Sequence, residues 1–184
     1  MTERNLIVVD CETTGLRAGE HVIVELAAIN YTTGDRIYIV PPVTPNDLGT
    51  ADPKAMQVNR YYERGLWERT HRGEQLNARL RELAEWLHKN TIGGANPAFE
   101  AVMLEELFAR YDNEDTGVWT PEWHHRKADI SAMTAGALLL PATELPGLAH
   151  CCELLGVEHT DPHTAMGDAD ATVRCFQQLE EMRP

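Results

Sequence analysis

The chain has 184 residues, 43% of them hydrophobic, which is enough for one α/β domain with an extensive core but leaves little for a second. It carries 16 Lys and Arg against 29 Asp and Glu, and the net charge of −13 argues against a protein that coats duplex DNA by neutralising phosphates. No basic start is followed by an apolar run, and no stretch approaches the roughly 20 apolar residues that cross a bilayer. We therefore expect one domain over residues 1–184, located in the cytoplasm and without membrane contact.

Three strand patterns open the chain. The runs 5–9, 21–31 and 35–40 are rich in Val, Ile and Leu, and turn residues at 33–35 join the last two. We expect a β-meander at the N-terminus.

Helical and strand patterns alternate in the rest of the chain. In order they predict helices at 53–62 and from 74, a strand at 91–95, a helix at 97–111, a strand at 127–129, and helices at 133–139, 145–155 and 164–182. This order predicts an α/β fold in which a central mixed β-sheet is flanked by α-helices.

Two acids end the first predicted strand. In Asp10-Cys11-Glu12 the two acidic side chains point to the same face, with Cα atoms about 6.5 Å apart. Carboxylates at a buried edge repel one another, so a cation between them is expected. A solvated strand end is the alternative, because such a pair is common.

A third acid lies on the apolar side of the helix that Asn96 is expected to cap. At about 100° per residue, Glu100 falls among Met103, Leu104 and Leu107, and its place in the first turn suits the helix dipole. The alternative is a glutamate that only stabilises the helix.

The last predicted helix separates two further acids. Asp168 falls among apolar residues and is expected to face inward, whereas Asp170 falls among charged residues and is expected to face outward. His163 stands just before this helix. Four inward acids and a histidine form a set suited to two hard cations about 3.5–4 Å apart, with the imidazole as a proton acceptor.

Three motifs containing these residues resemble those of the DnaQ-like DEDDh exonucleases. VVDCETTGL at 8–16 is similar to the first motif, GANPAFEAVML at 94–104 to the second, and HTAMGDADAT at 163–172 to the third, His-x4-Asp. The family includes the proofreading subunit of bacterial DNA polymerase III, ribonuclease T and oligoribonuclease, and its members share the ribonuclease H-like fold. The resemblance covers nearly the whole chain.

The resemblance implies a 3′-to-5′ exonuclease that hydrolyses phosphodiester bonds with two Mg²⁺ or Mn²⁺ ions. Asp10 and Asp168, helped by Glu12, would hold the catalytic ion. Glu100 would hold the second ion, and His163 would be the general base.

The resemblance also implies the substrate contacts. Thr13 and Leu16 would meet the 3′-terminal nucleotide, with Asn96 and Phe99 completing the binding site. The partners would be the 3′ end of a single-stranded nucleic acid, with DNA favoured over RNA, and the nucleoside monophosphate product. A free-standing nuclease and a proofreading subunit that docks on a DNA polymerase both remain open.

Glu100 departs from the family's second motif, which has aspartate at this position. The extra methylene moves the carboxylate outward and can change the affinity for the second metal. A nucleic-acid-binding or polymerase-docking module with weakened catalysis is therefore the alternative function. The intact Asp10, Glu12, His163 and Asp168 argue against it.

Two zinc sites are further alternatives. The four cysteines lack Cys-x-x-Cys spacing, so buried free thiols are favoured over a zinc site at Cys11, Cys151, Cys152 and Cys175. On one loop, the spacing of His159, Asp161 and His163 could supply two or three zinc ligands.

Arginines and aromatic residues alternate between the first two motifs. They are Arg60, Tyr61, Tyr62, Arg64, Trp67, Arg69 and Arg72. Such a stretch can stack bases and contact phosphates. A basic amphipathic helix with its aromatic residues packed inward explains the pattern equally well.

Overall fold

The computed structural model describes residues 4–183. Its sheet has five strands in the order β3-β2-β1-β4-β5: β1 (Leu6–Thr13), β2 (Ile23–Asn30), β3 (Arg36–Ile39), β4 (Thr91–Gly94) and β5 (Ala128–Asp129). The first three strands pair antiparallel, whereas β4 pairs parallel to β1 and β5 parallel to β4. The predicted meander and the mixed sheet are confirmed.

Seven α-helices surround the sheet in the described residues: α1 (Pro45–Gly49), α2 (Pro53–Val58), α3 (Gly73–Leu87), α4 (Pro97–Tyr111), α5 (Ile130–Ala137), α6 (Leu148–Leu155) and α7 (Ala165–Glu181). A 3₁₀ helix (Leu66–Arg69) lies between α2 and α3. No helix in the described part of the chain has the length and apolarity needed to span a bilayer.

Some helix bounds differ from the prediction for local reasons. The sequence did not predict α1, although Thr44 begins it with a capping box to Asp47. The helix α2 ends at Val58 rather than at 62, because Arg60 adopts a left-handed backbone with φ of 53°. The helix α6 begins at Leu148, since Pro146 disfavours helical geometry just before it.

The β1 strand divides the core into two layers. Ile7 and Val9 point to the face covered by α3 and α4, whereas Val8 points to the face where α5, α6 and α7 pack. The side chains at positions 10 and 12 therefore project toward α7.

Close packing beside β1 depends on Gly94 at the end of β4. A Cβ at this position would lie 3.0 Å from the carbonyl oxygen of Val9. Because glycine has no Cβ, the start of α4 can approach the end of β1. This brings together the two elements that carry Glu100 and the Asp10–Glu12 pair.

The four cysteines are buried free thiols, as predicted. The sulfurs of Cys152 and Cys175 lie 3.6 Å apart between α6 and α7. These residues belong to the core.

Candidate active site

Asp10 and Glu12 lie together at the end of β1. In the antiparallel ladder, Asp10 pairs with Ala27 and Glu12 pairs with Glu25 on β2, and the register shifts just after Glu12. The small side chain of Ala27 leaves space beside Asp10. The two acids thus face α7 from adjacent positions on one face of the sheet.

Asp168 reaches this region from the first turn of α7. The side chain of Thr164 caps the helix by accepting a hydrogen bond from the amide of Gly167 at 3.1 Å. The carboxylate Oδ1 of Asp168 lies 2.7 Å from Nε2 of His159 and accepts a 3.2 Å bond from the backbone amide of His163. Asp168 is therefore held on one oxygen by the loop that precedes its own helix.

That loop folds tightly against α7. Asp161 and His163 both have left-handed backbones, with φ of 52° and 61°. Such strain in a residue other than glycine is sparsely populated and clusters at functional sites. The loop packs so closely that a Cβ at Gly167 would lie 2.3 Å from the carbonyl oxygen of Asp161. Glycine at position 167 thus permits the loop conformation that presents His163.

A candidate metal-binding group forms where these elements meet. Possible ligand atoms of Glu12, His163 and Asp168 all lie within 4.8 Å of one another. Asp10 and Glu100 fall outside this group of three; Asp10 interacts electrostatically with Glu12 and Asp168 of the group, and Glu100 interacts with Asp10. The sequence predicted His163 as a base rather than as a ligand, and its position among the acids is compatible with either role.

The acids repel one another strongly. Burial raises the pKa of Asp10 well above its usual value, and the charges of Asp168 and Glu100 raise it further. Burial and the charge of Asp168 raise the pKa of Glu12 to about 7, although Arg64 opposes the shift. This arrangement of carboxylates favours a bound cation.

Glu100 lies in the first turn of α4, as expected, and is only 5% exposed. Burial raises its pKa to about 8. Its Oε2 atom is buried and has no hydrogen-bond partner among the described residues. A buried carboxylate oxygen without a donor is costly, so this oxygen is suited to a ligand that the protein itself does not supply.

Sequence reasoning missed Glu25, the cross-strand neighbour of Glu12. Glu25 is 1% exposed and accepts two hydrogen bonds from Arg64, at 2.5 and 2.8 Å, and one from Tyr38 at 2.5 Å. Its Oε2 also accepts a 3.2 Å bond from the backbone amide of Ala165, the first residue of α7. Glu25 thus joins β2, Arg64 and α7 behind the site. A charged residue within the apolar run 21–31 was the signal that could have revealed it.

A pocket of about 270 Å³ adjoins Glu12. Thr13, Leu16 and Phe99 line it, and their role as substrate contacts stays a prediction; the remaining wall is formed largely by α2 through Lys54 and Val58. Leu16 is 78% exposed. No pattern in the sequence indicated that α2 contributes to this pocket.

Asn96 does not line this pocket. It begins α4, as predicted, but its side chain makes no capping hydrogen bond, and it is exposed. The predicted role of Asn96 as a substrate contact therefore stays a prediction.

The three zinc-ligand candidates on the α7 loop do not converge in residues 4–183. His159 is directed to Asp168, and His163 groups with Glu12 and Asp168. Asp161 does not belong to this group. The geometry therefore favours the acids from several elements over the loop site.

Comparisons with known proteins show the family of the chain. A model of the RNase T family, described as an exonuclease, matches residues 7–176. The chain is 24% identical over 172 residues to a PolC-type DNA polymerase III from Oceanobacillus iheyensis, a match that covers 92% of this chain and 11% of the polymerase.

Solved structures of E. coli exonuclease I share the fold. A zinc-bound complex with single-stranded DNA gives a TM-score of 0.74 at 21% identity, over 98% of this chain and 41% of that one. A complex with a dA16 oligonucleotide gives a TM-score of 0.75 at 20% identity, over 99% and 42% of the two chains.

The chain spans about a tenth of the polymerase and about two fifths of the exonuclease I chains. The structural similarity confirms the ribonuclease H-like fold. Since the family model matches most of its length, the chain belongs to the RNase T exonuclease family, the DnaQ-like group that its three motifs resemble.

Proposed function

We propose that the chain is a metal-dependent 3′-to-5′ exonuclease that removes nucleoside monophosphates from single-stranded DNA. One observation carries this proposal: acids from β1, α4 and α7 converge next to a pocket of about 270 Å³, and burial raises the pKa of Asp10, Glu12 and Glu100 among them. Structural proteins seldom retain such a concentration of buried like charge, whereas metal-dependent active sites require it.

The residues present fit divalent metal ions. Carboxylate oxygens are the ligands that Mg²⁺ and Mn²⁺ prefer, and the unpartnered Oε2 of Glu100 offers one that no protein donor occupies. Asp10, Glu12 and Asp168 would hold the catalytic ion, and Glu100 would hold the second. When bound, the ions would supply charge neutralisation at the scissile phosphate and acidify the attacking water.

The chain's own residues then have separate tasks. The bond from His159 fixes the orientation of Asp168, and the backbone pairing of β1 with β2 sets the position of Glu12. His163 is exposed at the mouth of the site and would accept the proton of the attacking water on an imidazole nitrogen.

The size of the pocket supports a single terminal nucleotide as the unit that is removed. Its volume of about 270 Å³ lies near the lower limit of small-molecule sites, roughly 300 Å³, so one nucleoside fits but a duplex end does not. Leu16 and Phe99 would contact the base. DNA is favoured over RNA because the similar exonuclease I structures hold single-stranded DNA and the similar polymerase is a DNA polymerase. The latter similarity also favours docking on a polymerase as a further partner to test.

Degradation of labelled substrates tests the proposal. Single-stranded DNA, duplex DNA and RNA of the same sequence, each labelled at the 5′ end, would be incubated with Mg²⁺, Mn²⁺ or EDTA. We expect single-stranded DNA to shorten stepwise from its 3′ end with either ion and to stay intact in EDTA. Full-length DNA under every condition would contradict catalysis and support the module with weakened activity.

A further inference from the structure

Two exposed aromatic rings lie on the segment between α2 and α3, outside the pocket described above. Tyr62 is 53% exposed and Trp67 is 44% exposed, and their ring centroids are 6.0 Å apart. Both pack on the buried ring of Tyr61, at 5.2 and 5.9 Å. The buried ring supports the exposed pair, so the pair presents a defined apolar surface rather than two loose side chains.

The charge around this aromatic pair is opposite to that of the whole protein. Residues 60–72 contain four arginines and two glutamates, whereas the chain has a net charge of −13. Arg64 is directed inward to Glu25, whereas three arginines (Arg60, Arg69 and Arg72) and both glutamates (Glu63 and Glu68) are exposed, which leaves one net positive charge on the exposed part of the segment. A locally basic surface with exposed rings matches a polyanion that carries flat bases.

The segment is tied to the acids of the site. The side-chain amide of Asn59 donates a 3.0 Å hydrogen bond to the carbonyl oxygen of Thr13, directly after Glu12. Arg64 binds Glu25, the cross-strand partner of Glu12. These contacts fix the aromatic pair relative to the site.

The α2 helix separates two concave surfaces. Lys54 and Val58 line the pocket beside Glu12, whereas Met56 and Gln57 line a second cleft that includes Tyr62. Since a helix with its side chains is about 10 Å across, the second cleft begins roughly one helix diameter from the first. A strand whose 3′ end occupies the pocket could reach this distance within a few nucleotides.

We propose that Tyr62 and Trp67 form a stacking surface for bases upstream of the 3′-terminal nucleotide of a single-stranded nucleic acid. This inference rests on the proposed exonuclease function. Each base offers a π face regardless of sequence, so such stacking adds affinity without specificity. The exposed arginines beside the rings contact the phosphates. The surface therefore acts on longer strands and leaves the shortest substrates unaffected.

Substrate length tests this inference. The Michaelis constant would be measured for a dinucleotide and for an oligothymidylate of about 12 nucleotides, within the roughly 4 to 16 nucleotides that single-strand grooves hold. The variants are Tyr62→Ala with Trp67→Ala, the ring-preserving Tyr62→Phe with Trp67→Phe, and Trp119→Ala as a control. Trp119 is a partly exposed tryptophan that packs on His88 instead.

We expect the double alanine variant to raise KM for the long strand by about fivefold or more, with kcat and the dinucleotide KM unchanged. The phenylalanine variant and Trp119→Ala should resemble wild type. An unchanged KM for the long strand, or an equal rise for both lengths, would overturn the stacking surface.

Binding of the same labelled oligothymidylate in EDTA, followed by fluorescence anisotropy, separates this inference from the proposed function. If wild type cut nothing but bound the strand through Tyr62 and Trp67, the surface would stand and catalysis would fail. Cleavage together with equal binding by wild type and the double alanine variant would overturn the surface alone.

Discussion

His159 and Asp168 are joined across the turn that precedes α7, with Nε2 of the histidine 2.7 Å from Oδ1 of the aspartate. Both side chains are largely buried, at 15% and 14% exposed. The same carboxylate oxygen also accepts a hydrogen bond from the backbone amide of His163. One oxygen of Asp168 is thus held by the protein, and the other is left for a ligand.

We expect His159→Ala to raise the Mg²⁺ concentration needed for half-maximal activity by about 10- to 100-fold, because partners that orient a ligating carboxylate commonly contribute that much. His159→Gln should recover part of the loss, since its amide can donate to the same oxygen. Thermal stabilisation by Mg²⁺ gives a second measurement that does not depend on turnover. His150→Ala, an exposed histidine on α6, is the control. Equal metal requirements in wild type and His159→Ala would show that the bond does not orient Asp168 for metal.

Asp168 and Asp170 provide a matched pair on one helix. Asp168 faces the acids, whereas Asp170 binds Arg36 through two hydrogen bonds of 2.6 Å. Asp168→Ala should lower the cleavage rate by at least about 10²-fold, as the loss of a group that stabilises transition-state charge commonly does. Asp170→Ala should keep the rate and lose at most about 1 kcal/mol of unfolding free energy, because its ion pair is partly exposed. Rates at saturating Mg²⁺ and denaturant unfolding measure these effects; similar rate losses would contradict the assigned orientations.

Glu100 tests the departure from the family motif. Glu100→Gln should lose most of the activity, because an amide keeps the shape but cannot neutralise a divalent ion. Glu100→Asp should retain activity or exceed wild type, since aspartate is the usual residue in the resembling motif. Titration of the cleavage rate with Mg²⁺ and with Mn²⁺ gives the metal concentration needed for half-maximal rate. This shows whether a variant changes metal binding or the rate at saturating metal. If Glu100→Gln matched wild type at low metal, Glu100 would not be a ligand.

The raised pKa values make the metal-free protein sensitive to alkali. The pKa of Glu100 rises from 4.5 to about 8 and that of Glu12 from 4.5 to about 7 on folding. A raised carboxyl pKa means that the folded state binds the proton more tightly. The two protonated carboxyl groups therefore contribute to the free energy of unfolding below about pH 4.5, and this contribution is lost as pH rises through 7 and 8.

In EDTA, we therefore expect the free energy of unfolding to decrease by on the order of a few kcal/mol between pH 5 and pH 8.5. The melting temperature should fall over the same range. Glu100→Gln should reduce the decrease in melting temperature per pH unit. Glu105→Gln removes the same charge from an exposed position of the same helix and should not reduce it. Identical slopes in the two variants would show that the Glu100 carboxylate is not destabilised by burial.

Much of the fold followed from local patterns, because strand alternation and helical periodicity are properties of the sequence itself. The inward position of Glu100 could be predicted in this way, since its neighbours on the helix are apolar. The Glu25–Arg64 pair could not, because residues 39 positions apart meet only in the folded sheet. The hydrogen bond between His159 and Asp168 could not be predicted either, because it depends on a left-handed turn that no periodicity indicates.

The aromatic segment illustrates a different limit. Its composition fitted both base stacking and inward packing, and the structure divides it, with Tyr61 buried and Tyr62 and Trp67 exposed. Arg64, which the sequence pattern grouped with phosphate contacts, instead neutralises a buried acid. Burial of individual residues within an irregular segment depends on tertiary packing, so composition could not assign it.

Binding of Mn²⁺ at equilibrium tests the metal centre most directly, measured by calorimetry near pH 7.5 with a nucleoside monophosphate present to complete the site. We expect wild type to bind two ions, Glu100→Gln to lose the second ion and Asp10→Ala to lose the catalytic ion, while Asp170→Ala behaves as wild type. The reason is that the acids of β1, α4 and α7 converge beside the pocket, whereas Asp170 is bound to Arg36. Wild-type protein that bound no Mn²⁺, or that bound it equally after Asp10→Ala, would contradict a metal-dependent exonuclease site at these residues.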